Sequence, residues 1–180
     1  MIFKETGLGG LYLIEPELIE DGRGHFARVF CAREFSKMGL NPAVAQRSVS
    51  YNKSAGTLRG MHYQRAPHGE DKLVACASGA IYDVAVDVRM DSPTFGQWRA
   101  FGLSAENGHS LYIPAGFAHG FQTLADNSVV TYQMAQFYAP EHSAGFRWDD
   151  PDVDIQWPVA VQRIISAKDG AWPLLKEAAH

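Results

Sequence analysis

Apolar and polar positions along this chain alternate with the period of strands, and the period of helices is nearly absent. The run "AIYDVAVDVR" sets the pattern. Tyr82, Val84, Val86 and Val88 share one face of an extended segment, while Ile81, Asp83, Ala85 and Asp87 share the other. One apolar face and one mixed face fit the wall of a barrel with a polar lumen. Just upstream, "DKLVACAS" is a second strand-like run, and Gly79 between the two predicts a tight hairpin. "WRAFGLS", "SLYIPAG", "HGFQTLA" and "SVVTYQMAQFY" follow, separated by Gly, Asn, Asp or Pro, and "DSPTFGQW" reads as a loop. Many short strands at this spacing predict a sandwich or jelly roll. Two helical stretches stand out. "AREFSKMGL" ends near Gly39, and a turn within "SAKDGAWPLL" stops before Pro173. No repeat, low-complexity tract or linker divides the sequence, so residues 1–180 read as one domain.

Composition adds bounds. With 180 residues, 46% hydrophobic and 20% charged, the chain is long and apolar enough for a sizeable core. A net charge of −4 provides no basic field, which argues against a nucleic-acid partner and leaves room for a local basic pocket. Cys31 and Cys76 stand far apart without ligand-like spacing and read as reduced thiols of a cytoplasmic protein. "MIFKETGLGG" lacks the shape of a signal peptide, and no run approaches the ~20 apolar residues of a membrane helix.

One segment resists a purely structural reading. "GTLRGMHYQ" looks like a buried strand, yet it carries Arg59 and His62, and charge inside an apolar segment is costly. Lys72 and Tyr132 stand on neighbouring strand-like runs, and several ionisable groups directed into one barrel mark a candidate site. Downstream, "GHSLYIPAGFAH" (Gly108 to His119) resembles the second motif of the cupin superfamily, a small jelly-roll barrel. Gly56 and His62 match the start of the first cupin motif. Metal-binding cupins place a second histidine two residues on, where this chain has Gln64. With only His62 and His119 present, a tight first-row metal site in the barrel is not expected.

Longer stretches extend the likeness. "GTLRGMHYQ", "KLVACASGAIYDVAVDVRMDSPTFGQW", "LSAEN", "LYIPAGFAHGF", "FYAPEH", "RWDDPDVDIQWP" and "SAKD" together resemble the dTDP-4-dehydrorhamnose 3,5-epimerase family, from about Asp21 to Leu175. The resemblance implies an all-β, cupin-type jelly-roll barrel with short terminal helices. It implies epimerisation, without cofactor or metal, at C3, C5 or both of a nucleotide-linked 4-keto-6-deoxy sugar. A ketone at C4 acidifies the neighbouring C–H bonds, so inversion needs a base on one face of the ring and a proton donor on the other. By resemblance, His62 is the base, Asp169 its carboxylate partner, Lys72 the group beside the C4 oxygen, and Tyr132 the donor. Arg59 and His119 match pocket positions, Arg23 a diphosphate contact, and Lys168 an anion-side position. Tyr138 matches a second pocket tyrosine and Phe26 an aromatic wall. The resemblance also implies a homodimer in which an N-terminal strand is exchanged, so that Arg23 and Phe26 serve the neighbouring site.

The chain departs from the family at positions that, by the resemblance, contact the base or its nucleoside. Arg28 stands where a glutamate is usual. A Gln-Asp-Asn run falls on Arg47, Ser48 and Val49, or starts at Gln46 if one residue is skipped. Ser143 replaces another glutamate. Thymine offers an N–H that a glutamate accepts, whereas arginine only donates, which suits the acceptors of cytosine or guanine. Two expectations stay open: a CDP or GDP sugar, or a dTDP sugar held by other groups. Two rivals from other classes also stand, a metal-dependent cupin enzyme and a non-catalytic sugar-nucleotide-binding cupin.

Overall fold

The alternating runs become strands of a computed structural model that describes residues 1–178. The N-terminal part supplies β1 (Ile2–Glu5), β2 (Tyr12–Glu15), β3 (Leu18–Asp21) and β4 (Gly24–Ala27), then helix α1 (Ala32–Lys37). Next come β5 (Gln46–Asn52), β6 (Leu58–Gln64), β7 (Lys72–Ser78) and β8 (Ala80–Asp87). They are followed by β9 (Trp98–Ser104), β10 (Ser110–Ile113), β11 (Phe117–Thr123) and β12 (Ser128–Met134). A 3-10 turn, Pro140–His142, leads into β13 (Ser143–Gly145), and the short helices α2 (Ala167–Gly170) and α3 (Leu175–Ala178) follow. Helix α1 buries Phe35, and the chain leaves it through Gly39 at φ +72°, the left-handed conformation that glycine adopts cheaply.

Two antiparallel sheets enclose the core. One has the order β1-β2-β10-β7-β12-β5 and the other β13-β6-β11-β8-β9, while β3 and β4 form a ribbon of their own. This is the expected cupin-like jelly roll. The predicted hairpin at Gly79 is overturned. β7 pairs with β10 and β12, β8 pairs with β11 and β9, and Gly79 carries the chain from one sheet to the other. Alternation reports which residues are buried; it does not report which strand lies alongside. Gly79 sits at φ +73°, and a Cβ there would meet the Ser128 hydroxyl oxygen at 2.4 Å, so this corner requires glycine.

The polar-lumen reading of β8 is half right. Its mixed face looks inward: Ile81 and Ala85 join a cluster with Leu11, Val74, Leu111 and Phe121 between the sheets. Its apolar face is no solvent-facing wall, because a second cluster covers it. Val84 and Val86 pack there with Met61, Phe146, Ile155 and Leu175. The C-terminal segment therefore roofs the five-stranded sheet, which explains why β8 reads as buried on both sides. At the end of β8, burial works against the charge of Asp87, but bonds from Arg89, Ser92 and Thr94 outweigh it and hold the carboxyl at about 2.

Candidate active site

β6 poses a geometric problem. Arg59 and His62 are three residues apart, and on a regular strand an odd spacing sends side chains to opposite faces. The β6–β11 ladder solves it. His119 faces His62 and Phe121 faces Arg59, so two steps on β11 oppose three on β6. This is a β-bulge, which adds one residue and re-aims the side chains beside it. Met61 turns into the outer core, while Arg59 and His62 both reach the same cavity. The bulge needs close backbone contact. Gly60 has φ +131°, and a Cβ on it would stand 2.6 Å from Cα of Gly120.

The cavity, of about 380 Å³, lies between the sheets and brings together Arg59, His62, Lys72, His119, Tyr132 and Asp169. Ser48 and Glu70 also line it. β6 and β11 of the five-stranded sheet supply the histidines, whereas Lys72 and Tyr132 come from β7 and β12 of the other sheet. Imidazole and phenol thus approach from opposite walls. A larger hollow of about 700 Å³ runs along Tyr63, Ala66, Val88 and Met90, but no paired acid and base line it.

Each ionisable group has a defined neighbour. His62 Nε2 lies 2.7 Å from Asp169 Oδ1, and the other carboxylate oxygen accepts from the Gly60 amide at 3.4 Å. Asp169 sits in the first turn of α2, whose N-cap is Ser166; its own amide donates to the Ser166 hydroxyl at 3.0 Å. Burial disfavours the Asp169 carboxylate, yet the bonds from His62 and Gly60 hold its pKa below the ordinary value. With Nε2 paired to Asp169, Nδ1 is the ring nitrogen of His62 without a protein partner among the described residues. Trp172 stands edge-on to the His62 ring, centroids 6.3 Å apart.

His119 forms a second pair, Nε2 to Asp83 Oδ1 at 2.7 Å. Asp83 is fully buried. Desolvation raises its pKa, partly offset by His119, and Oδ2 has no partner among the described residues. The Tyr132 ring lies 5.9 Å from that of His119. Burial pushes the phenol well above its usual range, the Asp83 charge adds to this and Arg59 opposes it, so Tyr132 keeps its proton at neutral pH. Lys72 is buried against the Glu70 carboxylate; desolvation lowers its pKa, and Glu70 restores part of the loss. Arg59 Nε donates to Asn52 Oδ1 at 2.8 Å, and the buried Asn52 is itself anchored to the Ser50 and Ser128 carbonyls.

Apart from Ser48, the other candidates lie outside this lining. Arg23, next to the β3–β4 turn, pairs with Asp21 at 2.6 Å, and Phe26 is exposed on β4. Arg28 donates to Glu34 at 3.0 Å. The register of β5 against β12 places Gln46, Ser48 and Ser50 opposite Met134, Tyr132 and Val130, so Arg47 takes the other face. Gln46 accepts from the Tyr138 amide at 2.6 Å, and the Tyr138 ring is exposed. Ser143 pairs with Gln64 in the β13–β6 ladder, and Lys168 stands over the Trp172 ring at 5.5 Å. Sequence reasoning missed Asp83, Glu70 and Asn52. For Asp83 a signal existed, a carboxylate on the inward face of β8.

Gln64 does not occupy a vacant ligand position. Its buried amide donates to the His68 carbonyl at 2.9 Å and accepts from the Ala139 amide at 2.7 Å, tying two loops together.

A jelly-roll barrel whose interior carries two His–Asp pairs, a buried lysine and a neutral tyrosine defines an acid–base enzyme of the cupin class. The comparisons narrow it. The family model for dTDP-4-dehydrorhamnose 3,5-epimerase matches residues 5–177. The enzyme of that name from Sinorhizobium fredii is 42% identical over 177 residues, covering 98% of this chain and 91% of its own. The crystal structure of the Elizabethkingia anophelis enzyme superposes with a TM-score of 0.96 at 38% identity, covering 100% of this chain and 99% of its own. The Legionella pneumophila enzyme, crystallised with dTDP-4-keto-L-rhamnose, gives a TM-score of 0.92 at 38% identity, covering 97% and 93%. The chain belongs to the dTDP-4-dehydrorhamnose 3,5-epimerase family, a family of isomerases.

The bulge generates a direct prediction. Gly60→Ala is expected to force apart the β6 and β11 backbones and misdirect His62, cutting activity by about 100-fold or more, in line with a 1 Å misplacement. Steady-state kinetics together with a crystal structure of the variant check it; an active variant with an unmoved His62 would remove the bulge from the account.

Proposed function

We propose that this protein epimerises a dTDP-linked 4-keto-6-deoxy sugar at C3, C5 or both by proton abstraction and return. The observation that carries the reading is the opposed pair: a carboxylate-held imidazole on one sheet and a proton-bearing phenol on the other, across one cavity. His62 removes the proton next to the C4 ketone, with Asp169 orienting the ring and stabilising the imidazolium that forms. The resulting enolate places charge on the C4 oxygen. Lys72 stabilises it, and Arg59 adds a donor from the facing wall, where His119 is held by Asp83. Tyr132 returns a proton from the opposite side and inverts the carbon. The ketone already present in the substrate supplies the acidity, so these residues suffice for the chemistry.

The nucleotide is held at the rim. The names of the relatives favour dTDP, and Arg28, the sharpest departure, already has a local partner in Glu34. The β3–β4 ribbon exposes Leu18, Ile19 and Phe26 and joins neither main sheet. An exposed apolar ribbon that joins neither sheet calls for a partner. The reading is a homodimer in which this ribbon docks on a second copy and brings Arg23 and Phe26 to the neighbouring cavity. No described helix is long and apolar enough to cross a membrane. A cytoplasmic location accords with the substrate class.

In deuterium oxide the protein is expected to place deuterium on C3 or C5 of dTDP-4-keto-6-deoxyglucose. His62→Ala is expected to slow this by about 100-fold or more, and exchange that persists in that variant defeats the base assignment. Tyr132→Phe is expected to suppress inversion more than exchange. Calorimetric titration is expected to rank dTDP at least about tenfold tighter than CDP or GDP, a margin of about 1.4 kcal/mol; the reverse order returns Arg28 to the role of base reader. Light scattering is expected to give twice the chain mass, and Phe26→Asp to reduce it. A single-chain mass for the unmodified protein ends the dimer reading.

A further inference from the structure

Outside the cavity, His68, Glu141 and His142 converge. One ligand atom from each lies within 4.8 Å of the other two, and this is the one place among the described residues where three such side chains meet. The two imidazole rings face each other, centroids 4.3 Å apart at an angle of 38°. Both histidines are half-buried and Glu141 is exposed. None of the three lines the cavity that holds His62.

The supporting frame is rigid. His68 lies in the loop between β6 and β7, and Glu141 and His142 lie in the 3-10 turn before β13. Gln64 ties the His68 carbonyl to the Ala139 amide, the Arg65 amide donates to the His142 carbonyl at 2.9 Å, and the His68 amide returns to the Arg65 carbonyl at 3.0 Å. The His142 amide closes its own turn on the Ala139 carbonyl at 3.0 Å. Both backbones are thus fixed from the same end of β6, leaving only side-chain torsions to adjust.

We propose that His68, Glu141 and His142 form a binding site for a divalent transition-metal ion of the zinc class. Two imidazoles and one carboxylate are a donor set that zinc takes, with water in the fourth position. Zinc bonds of about 2.0–2.1 Å set tetrahedral donors roughly 3.3 Å apart, so the three ligand atoms, within 4.8 Å of one another, draw together when the ion binds. Magnesium and calcium prefer all-oxygen ligands and are excluded by the imidazoles. The ion's role is a clasp. It joins the 65–70 loop, which runs directly into Glu70 and Lys72 of the cavity, to the turn that precedes β13. It takes no part in proton transfer.

The experiment titrates zinc alone, without nucleotide, into the intact protein by calorimetry, with cobalt absorption as a second readout. One ion per chain is expected, with the visible spectrum of tetrahedral cobalt. His68→Ala and His142→Ala each remove a proposed ligand and are each expected to weaken binding by about tenfold or more, at least as much as losing a group that merely orients a ligand. Glu141→Gln, an exposed change that leaves the fold untouched, is expected to weaken it severalfold. His62→Ala is expected to bind zinc as the unmodified protein does. Absence of binding at millimolar zinc overturns the proposal. So does undiminished binding in the folded double variant His68→Ala/His142→Ala, or loss of binding in His62→Ala.

Discussion

One extra residue in β6 governs the site. Without the bulge at Gly60, either Arg59 or His62 would project into the outer core, against Met61 and Phe146, where a charge has no partner. With it, the two polar side chains share the cavity and the apolar one faces the roof. The bulge also turns the Gly60 amide toward Asp169, the same carboxylate that holds His62. The distortion and the His–Asp pair therefore depend on one another. Both depend on Gly120, whose lack of a side chain lets the strands approach. A Cβ at Gly120 would meet the Met61 sulfur at 2.5 Å.

The C-terminal segment makes this arrangement affordable. By roofing the five-stranded sheet it buries the outer face of β6 and β8, and it delivers Asp169 on α2 to the inner side. Burial in a half-closed barrel pushes ionisable groups toward their neutral forms, as it does Asp83 and Lys72, and a partner offsets part of that push. Here nearly every one is matched: His62 by Asp169, His119 by Asp83, Lys72 by Glu70, and Arg59 by Asn52. Tyr132 is the exception, lying against apolar core and the His119 ring, and its environment favours the protonated form. That asymmetry, a paired imidazole facing a neutral phenol, is the electrostatic content of the proposed base and acid.

Much of this is legible in the sequence. Period-two alternation located the strands, and the spacing of Gly108, Pro114, Gly116 and His119 pointed to the barrel. Four side chains proposed for chemistry do meet in one cavity. What escaped had physical reasons. Alternation records burial, so it could not tell that β7 and β8 belong to different sheets. It also presumes an unbroken period, and an odd spacing on a regular strand gives no hint of the bulge that brings Arg59 and His62 to one cavity. Glu70 has no spacing signature of its own, because it acts through another residue, whereas Asp83 shows only as a carboxylate on the mixed face of β8. Gln64 read as a lost ligand, whereas its amide braces the loops.

The barrel also separates chemistry from recognition. Groups inside it are constrained from several directions at once: ladder register, the bulge, the roof and paired charges. Changing one leaves a buried partner uncompensated, which costs several kcal/mol. Arg23, Phe26 and Arg28 lie on or just after an exposed ribbon, where substitutions cost little in stability. A chain can therefore alter how it grips a nucleotide while the enolising machinery stays intact. The departures at Arg28 and Arg47 fall on exposed positions and that at Ser143 on a short edge strand outside the cavity, while Ser48 and Val49, beside Arg47 on β5, reach the cavity lining. The residues proposed to move protons lie in the part of the structure least free to change.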